Sequence, residues 1–301
     1  MHIKNRILVN GSIHPKLRFY RFSYKVRDRI YNFYKKKLPN LIHRTVNENE
    51  KDIINNLNKS GFSFFNSLSN EDVIKARSQI SELNFDIGQE GKVVYSHSEL
   101  FKKGILNKIY LNEGLLKVIQ EYFGCSAKIQ YLSAWKTIPG IETNEMFFHP
   151  DRHGHKFLKF FIYLNDVNEF DGHHEIIPGS QENNLDKILK NESDDLLRAM
   201  KLKIKKGWYK KIKLENKIFN DSNIKIKKVF GKSGTTFIED TSCFHRGTPV
   251  SKKSNERIIF QVLYTPWDNQ KDYIQKIIKP EWVKKFNNSR SAQYAISNLL
   301  I

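Results

Sequence analysis

Six short segments between residues 128 and 266 have the composition of β-strands, and their spacing limits the folds that this chain can adopt. Aromatic residues are frequent, polar and apolar residues alternate, and Gly, Pro, Asn and Asp separate the segments. This pattern predicts a mainly β protein with flanking helices, an antiparallel sandwich or barrel of the jelly-roll type. The segments are KIQYLSAWKTI (128–138), MFFHPD (146–151), KFLKFFIYLNDV (156–167), HHEIIPG (173–179), GTTFIED (234–240) and RIIFQVLYTP (257–266).

The region before these strands predicts a helix, a short strand at 61–65 and a second helix capped near Ser69, after which we expect strands. With 301 residues, 39% of them hydrophobic, the chain can form one large domain with extensions. It contains no run of about 18 apolar residues and no apolar signal-peptide core, so we expect a cytoplasmic protein. Cys125 and Cys243 are too few for a disulfide framework and are interpreted as core residues.

The net charge of +19 is concentrated in two segments. Residues 1–44 contain twelve Lys and Arg against one acid, and residues 181–230 contain fourteen against seven. We therefore divide the chain into a basic N-terminal arm (1–45) and a main domain (46–301) with a lysine-rich lid insertion (181–230). Such segments attract anions, including phosphates, acidic lipid headgroups, nucleic acid and carboxylated substrates.

The N-terminal arm contains an amphipathic pattern that ends before Pro39. Its apolar residues recur at steps of three and four, and basic residues lie beside them. Two interpretations stay open. The stripe docks on the protein's own core, or it contacts the inner face of a membrane or another anionic partner. The stripe consists of Phe19, Phe22, Val26, Ile30 and Phe33.

The segment FFHPDRHGH (147–155) contains a candidate metal site. Side chains at i and i+2 of a strand share a face, so His149 and Asp151 can reach one ion. The third ligand would be His245, at the end of a strand-like run. Two histidines and one carboxylate leave open positions, as in non-heme Fe(II) oxygenases. His153 and His155 are interpreted either as solvated loop residues or as pocket contacts.

Three stretches together resemble a known family: HPD, then KFFIYLNDVNEFDGHHEIIPGSQ, then GTTFIEDTSCFHRGTPVSKKSNERIIFQVLY. Between about Asp52 and Thr265 the chain resembles the phytanoyl-CoA dioxygenase-like Fe(II)- and 2-oxoglutarate-dependent oxygenases. The resemblance implies a double-stranded β-helix, a cupin-like jelly roll. It also implies Fe(II), 2-oxoglutarate and O2 as cofactor and co-substrates. By the same resemblance the catalytic iron ligands are His149, Asp151 and His245, and the 2-oxoglutarate contacts are Arg257 and Lys136.

The assignment of Arg257 also has a physical basis. A guanidinium pairs with a carboxylate through two parallel hydrogen bonds, and Arg257 begins a strand from which it can point inward. The competing residue is Arg246, which directly follows His245. Because neighbouring side chains of a strand face opposite sides, Arg246 is expected to point away from the metal.

These features predict a dioxygenase that hydroxylates a C–H bond of a small molecule. The positive charge of the lid indicates that this substrate is anionic, sugar-containing or lipid-linked. Trp208 and Tyr209 lie within that lid. The carboxylate ligand favours hydroxylation over halogenation, since family-like halogenases carry a small residue there. The alternative is a non-catalytic jelly roll that binds a membrane or another polyanion through its basic segments. A third interpretation is a zinc hydrolase with the same three ligands, but the sequence offers no residue that we can assign as its general base.

Overall fold

The computed structural model describes most of the chain between residues 24 and 297. Before that range it describes only residues 8–9 and 12–13. Within the range the gaps are 67, 83–84, 88–91, 96–99, 101–103, 142, 189, 191–197, 199, 201–221, 255 and 267–288. Phe19, Phe22, Trp208 and Tyr209, with much of the lysine-rich segment, therefore lie outside the described residues.

The helices lie mostly in the first half of the described chain. Asn47 and Glu50 form a capping box at the start of the second helix. Ser69 caps the third helix, as the sequence predicts. The second helix ends at Gly61 with a φ of 74°, where an added Cβ would lie 2.5 Å from Sγ of Cys243. The helices are α1 Tyr24–Lys35, α2 Glu48–Ser60, α3 Asn70–Ser81, α4 Gly104–Tyr110, α5 Glu113–Phe123, α6 Leu185–Ile188 and α7 Arg290–Ile296.

The strands form two antiparallel sheets and a separate hairpin, β1 with β2. The large sheet has seven strands in the order β3-β10-β7-β12-β6-β5-β4, and the small sheet has three in the order β11-β8-β9. The strands are β1 Leu8–Val9, β2 Ser12–Ile13, β3 Phe62–Phe64, β4 Phe85–Ile87, β5 Lys92–Tyr95, β6 Lys128–Thr137, β7 Leu158–Tyr163, β8 His174–Ile176, β9 Lys227–Val229, β10 Thr236–Glu239, β11 His245–Gly247 and β12 Arg257–Thr265.

The two faces of the large sheet bury different residues. The outer face packs with the helices into the main hydrophobic core, to which Phe160, Ile238, Phe260 and Val262 belong. The inner face contributes Phe161, Phe237 and Ile259 to a second, smaller hydrophobic cluster. Ile176 and Val229 of the small sheet complete this cluster. Since side chains alternate along each strand, one set of strands supplies both cores.

Two local expectations are wrong. Residues 146–151 do not form a regular strand: a 3₁₀ turn, Asn144–Met146, is followed by a single bridge between His149 and His245. The proline at position 150 cannot donate to a ladder, which is consistent with so short a pairing. In addition, α4 and α5 lie where the sequence suggested strands, and they pack into the main core.

The described part of the N-terminal arm docks through a face other than the expected one. Arg27 and Tyr31 are 2% and 1% exposed, whereas Val26 and Phe33 of the predicted stripe are 38% and 49% exposed. Tyr31 Oη donates to the carbonyl of Phe123. Long side chains with polar ends can bury their apolar bodies and still satisfy those ends, which is why this face docks.

Candidate metal centre and adjoining pocket

Three of the predicted residues meet at one point between the two sheets. One ligand atom from each of His149, Asp151 and His245 lies within 4.8 Å of the others. The backbone fixes this meeting: His149 N donates to His245 O over 3.0 Å and receives the reciprocal bond over 3.1 Å. Asp151 N donates to the carbonyl of Thr241 over 2.7 Å, which holds the HPD segment beside the β10–β11 turn.

Both histidines direct the same nitrogen toward the centre. Nδ1 of His149 donates to the carbonyl of Phe147 over 2.7 Å, and Nδ1 of His245 donates to the carbonyl of Cys243 over 2.9 Å. A carbonyl can only accept, so Nδ1 carries the proton and Nε2 keeps its lone pair. Burial lowers the pKa of His149 to about 3 and lowers that of His245. Both imidazoles are therefore neutral at neutral pH, the form that binds metal.

The third candidate ligand, Asp151, forms an ion pair with Lys159, which was not among the residues predicted from the sequence. Lys159 Nζ lies 2.5 Å from Oδ2 of Asp151. Burial opposes the charge of Asp151, but Lys159 and the nearby imidazoles hold its pKa well below the usual range. Asp151 in turn raises the pKa of the buried Lys159. The available sequence signal was a lysine inside the otherwise apolar run FLKFFIYL.

The donor set fits a divalent transition metal. Two neutral imidazole nitrogens and one ionised carboxylate on one side of an ion leave coordination positions open on the other side, the arrangement of non-heme Fe(II) oxygenases. In the described part of the chain this is the one group of three or more His, Cys, Asp or Glu side chains close enough to hold an ion. His149, Asp151 and His245 are thus a candidate facial triad.

Arg257 begins β12 and lies buried on the inner face of the large sheet. Its guanidinium donates to the carbonyl of Gly172 and, over 3.3 Å, to Thr137 Oγ1. An added Cβ at Gly247 would lie 3.0 Å from Nη2 of Arg257, so the guanidinium sits beside β11, two residues along from His245. Positions i and i+2 of a strand are about 7 Å apart on one face. No described carboxylate forms an ion pair with Arg257, and burial lowers its pKa.

The other two basic residues considered for 2-oxoglutarate, Arg246 and Lys136, form ion pairs with glutamates of this chain. Arg246 makes two contacts of 2.7 Å, through Nε and Nη2, with Oε2 of Glu175 on the neighbouring strand β8. Lys136 pairs with Glu256 and lies opposite Ile258, whose side chain packs on the outer core. Strand alternation thus turns Lys136 away from the face that carries Arg257, so this placement does not support the expected 2-oxoglutarate contact from Lys136.

A buried histidine and glutamate support the centre from behind. The His174 ring stacks on that of His245 with centroids 5.5 Å apart, and His174 Nε2 lies 2.6 Å from Oε2 of Glu239. Burial raises the pKa of Glu239 to about 8, so its carboxyl is largely protonated at neutral pH and can donate to His174. These contacts fix the orientation of a ligating ring, the usual role of residues behind metal ligands.

The remaining two histidines of the motif differ in burial: the side chain of His153 is 30% exposed, whereas His155 is buried. His153 Nε2 lies 3.8 Å from Oδ2 of Asp151, and its ring meets Phe157 edge-on at 5.2 Å. Burial lowers the pKa of His153 to about 4. His155 is buried beneath α1, where its Nε2 lies 3.2 Å from Oδ1 of Asp28. His155 lines the adjoining cavity, and His153 is not among the lining residues, so the placement favours the pocket interpretation for His155 alone.

Comparison with known proteins supports the fold. No family model and no curated protein sequence matches this chain. HygX from Streptomyces hygroscopicus, in a crystal structure with nickel and 2-oxoglutarate bound, superimposes with a TM-score of 0.51 at 15% identity, over 74% of this chain and 88% of that chain. The epimerase SnoN, with Fe3+, alpha ketoglutarate and nogalamycin RO, gives 0.50 at 11% identity, over 72% and 83%.

At these identities the comparison establishes the fold alone, which this chain shares with HygX and SnoN. The predicted double-stranded β-helix is thereby confirmed. The described helices include none with both the length and the hydrophobicity that crossing a bilayer requires.

Proposed function

We propose that this protein is an Fe(II)- and 2-oxoglutarate-dependent dioxygenase that hydroxylates a C–H bond of a small molecule. The observation that carries the proposal is the pairing of a buried triad with a buried arginine that lacks a carboxylate. A buried guanidinium without a counter-charge is costly unless a ligand supplies one. The distal carboxylate of 2-oxoglutarate fits that requirement at Arg257, near the metal position.

The chain's own residues have distinct tasks in this scheme. His149, Asp151 and His245 would hold iron, and Arg257 with Thr137 would bind and orient 2-oxoglutarate. Bound iron and 2-oxoglutarate supply the oxidising power for insertion of one oxygen atom from O2, with succinate and carbon dioxide as by-products. Lys159 would keep Asp151 directed toward the ion, and the inner cluster around Phe161 would exclude water from one side.

The test measures 2-oxoglutarate consumption with Fe(II) and ascorbate. We expect slow turnover by the wild type and loss to background in His149→Ala, Asp151→Ala and His245→Ala. Calorimetry with Mn(II), a redox-silent substitute, should show the same loss of affinity. Lys232→Ala, which removes an exposed charge, serves as the control. A triple variant that retained both turnover and Mn(II) affinity would place the metal elsewhere.

The substrate is proposed to be a small molecule. Proteins of the same fold hold such compounds in crystal structures: HygX with hygromycin B at a TM-score of 0.51, and SnoN with nogalamycin RO. In this chain a cavity of about 150 Å³ adjoins Asp151. A space of this size suits a small ligand or one ring of a larger compound.

The exposed face of α1 supports peripheral contact with an anionic membrane as an additional property. Lys25, Arg29 and Lys36 are exposed on this helix together with the apolar Val26 and Phe33. Each basic residue near an anionic surface contributes on the order of 1 kcal/mol, an attraction that salt screens. The non-catalytic alternative would use the same surface without a metal.

Co-sedimentation with anionic and neutral vesicles at low and high salt tests this contact in the full chain. We expect salt-sensitive binding to anionic vesicles that Phe33→Ser combined with Lys36→Ser weakens. Lys253→Ser with Lys252→Ser, which remove two basic residues in another loop, provide the matched control. Equal binding by both double variants would exclude α1 as the contact surface.

A further inference from the structure

The cavity beside Asp151 is built from parts of the chain that are far apart in sequence. One wall is α1, through Tyr24 and Arg27. The other walls are the HPD loop at 150–156, the turn at 181–184 that begins the lysine-rich segment, and the turn at 240–242 before β11, with Asn58 and Tyr122 between them. Helix α1, the described helix of the N-terminal arm, is therefore a wall of the pocket next to the candidate metal centre.

Most of the side chains that line this cavity carry polar or charged groups. Apart from the ring of Pro150, it contains no aliphatic side chain and no phenylalanine. An acyl chain would leave these polar groups without hydrogen-bond partners, and each such loss costs about 1–3 kcal/mol. The lining residues with amide or hydroxyl groups are Tyr24, Asn58, Tyr122, Gln181, Asn183, Asn184 and Ser242.

Charges of both signs balance around the cavity. Three basic residues line it, and so do three acidic residues. Arg27 is paired with Glu182 at the wall, and Lys156 Nζ donates to the carbonyl of Tyr122 over 3.2 Å. An anionic substrate would need an excess of positive charge here. The basic residues are Arg27, Arg152 and Lys156, and the acidic residues are Asp151, Glu182 and Asp240.

The size and the aromatic side chains of the cavity limit its ligand further. A volume of about 150 Å³ corresponds to roughly five water molecules at about 30 Å³ each. A cavity of about this volume can hold one six-membered ring such as benzene. Tyr122 is held by donating to Asp240 Oδ2 over 2.6 Å, and Tyr24 is held by its ring contact with His155 at 4.8 Å. Fixed tyrosines offer both a flat apolar face and a polar edge.

We propose that this cavity binds one uncharged, hydroxyl-rich ring of the substrate, a sugar or a cyclitol, and that Tyr24 and Arg27 of α1 contact it. The inference rests on the proposed function, because the ring would lie beside Asp151 where the oxidation takes place. It also replaces the anionic or lipid-linked substrate expected from the lysine-rich segment. The side chains that offer donors and acceptors together match hydroxyl groups, which both donate and accept.

The position of α1 is fixed well enough for it to recognise a ligand. Tyr31 donates to Phe123 O over 2.5 Å, and Asp28 contacts His155 of the HPD loop over 3.2 Å. His155 is enclosed by Tyr24 and Tyr31, whose ring centroids are 4.8 and 5.4 Å away. The helix is thus tied to the loop that carries Asp151, so its contacts with a ligand would be coupled to the position of the metal ligand.

The experiment measures direct binding of probe compounds to the full chain loaded with Mn(II) and 2-oxoglutarate. The neutral probes are a panel of hexoses and myo-inositol, the anionic probe is glucose 6-phosphate, and the apolar probe is octanoate. Saturation-transfer NMR and calorimetry report binding without turnover. We expect at least one neutral probe to bind in the millimolar range, and Tyr24→Ala and Arg27→Met to weaken it at least tenfold. Val26→Ser, on the exposed face of the same helix, should leave its affinity unchanged.

The outcomes separate this inference from the proposed function. If Mn(II) and 2-oxoglutarate bind but no neutral probe does, or if glucose 6-phosphate or octanoate binds more than tenfold better, the ring proposal is overturned and the dioxygenase proposal stands. If Mn(II) and 2-oxoglutarate do not bind, the proposed function fails first. Should Arg27→Met fold poorly, Tyr24→Phe gives the same test, since it removes only the hydroxyl and should weaken binding severalfold.

Discussion

The two faces of the large sheet come from the same strands but differ in chemistry. On β7 the outer residues Leu158, Phe160 and Ile162 enter the main core, while Lys159 between them faces Asp151. On β12 the outer residues Phe260 and Val262 are apolar, while the inner face carries Arg257 and Gln261. The outer face stabilises the fold, and the inner face carries the candidate site.

The inner face retains polar atoms that have no hydrogen-bond partner among the described residues. They include Arg257 Nε, Glu239 Oε1 and Gln261 Oε1. Buried polar groups are normally satisfied, so a group of them on one face lowers stability unless a ligand or ordered water completes it. The candidate site therefore lies on the face of the sheet that we expect to contribute less to stability than the opposite face.

The largest expected effect on stability belongs to the outer face. Phe260→Ala should lower the free energy of unfolding by about 3–5 kcal/mol, because it removes apolar contacts and leaves a cavity in the main core. Urea denaturation measures the loss, and calorimetry on the folded fraction should still find wild-type Mn(II) affinity. Ile74→Ala, at an exposed position, is the control. A loss below about 1 kcal/mol would show that the outer face is not the main source of stability.

Lys159→Met probes the inner face and should behave differently with and without metal. In metal-free protein it leaves the buried Asp151 carboxylate without its ion-pair partner, a change that typically costs about 3–5 kcal/mol. Mn(II) would supply a positive charge to that carboxylate, so the destabilisation should be smaller in its presence. Thermal unfolding with and without Mn(II) measures the difference.

The control for this change is Lys228→Met, which breaks an exposed pair with Glu169 and should alter stability by less than about 1 kcal/mol in either state. A destabilisation by Lys159→Met that is the same with and without Mn(II) would contradict a role for Lys159 beside the metal.

Arg257→Ala should separate co-substrate binding from metal binding. We expect 2-oxoglutarate affinity to fall by about 2–3 kcal/mol, as for loss of hydrogen bonds to a charged group, with Mn(II) affinity close to wild type. Calorimetry with Mn(II) present measures both. Arg246→Ala is the matched control, since its guanidinium is occupied by Glu175. If Arg246→Ala weakened 2-oxoglutarate and Arg257→Ala did not, the two assignments would be exchanged.

The sequence alone determined five of the six strands predicted between residues 128 and 266, the cap at Ser69 and the candidate triad. The strands and the cap depend on short-range rules, whereas the family resemblance links His149 and Asp151 to His245. The opposite orientations of His245 and Arg246 also follow from alternation, and the structure shows them. The 2-oxoglutarate role of Arg257 is not tested by the structure and stays a proposal.

Only the tertiary structure decided which side of each pattern faces the site. Alternation gives two faces but not which one points inward, so it could not show that Lys136 lies on the outer face and Lys159 on the inner face. The docking face of α1 likewise depended on distant partners, Phe123 for Tyr31 and Glu182 for Arg27, which periodicity cannot identify. A polar side chain can be buried only where a partner meets it, and that partner is set by contacts between residues remote in the chain.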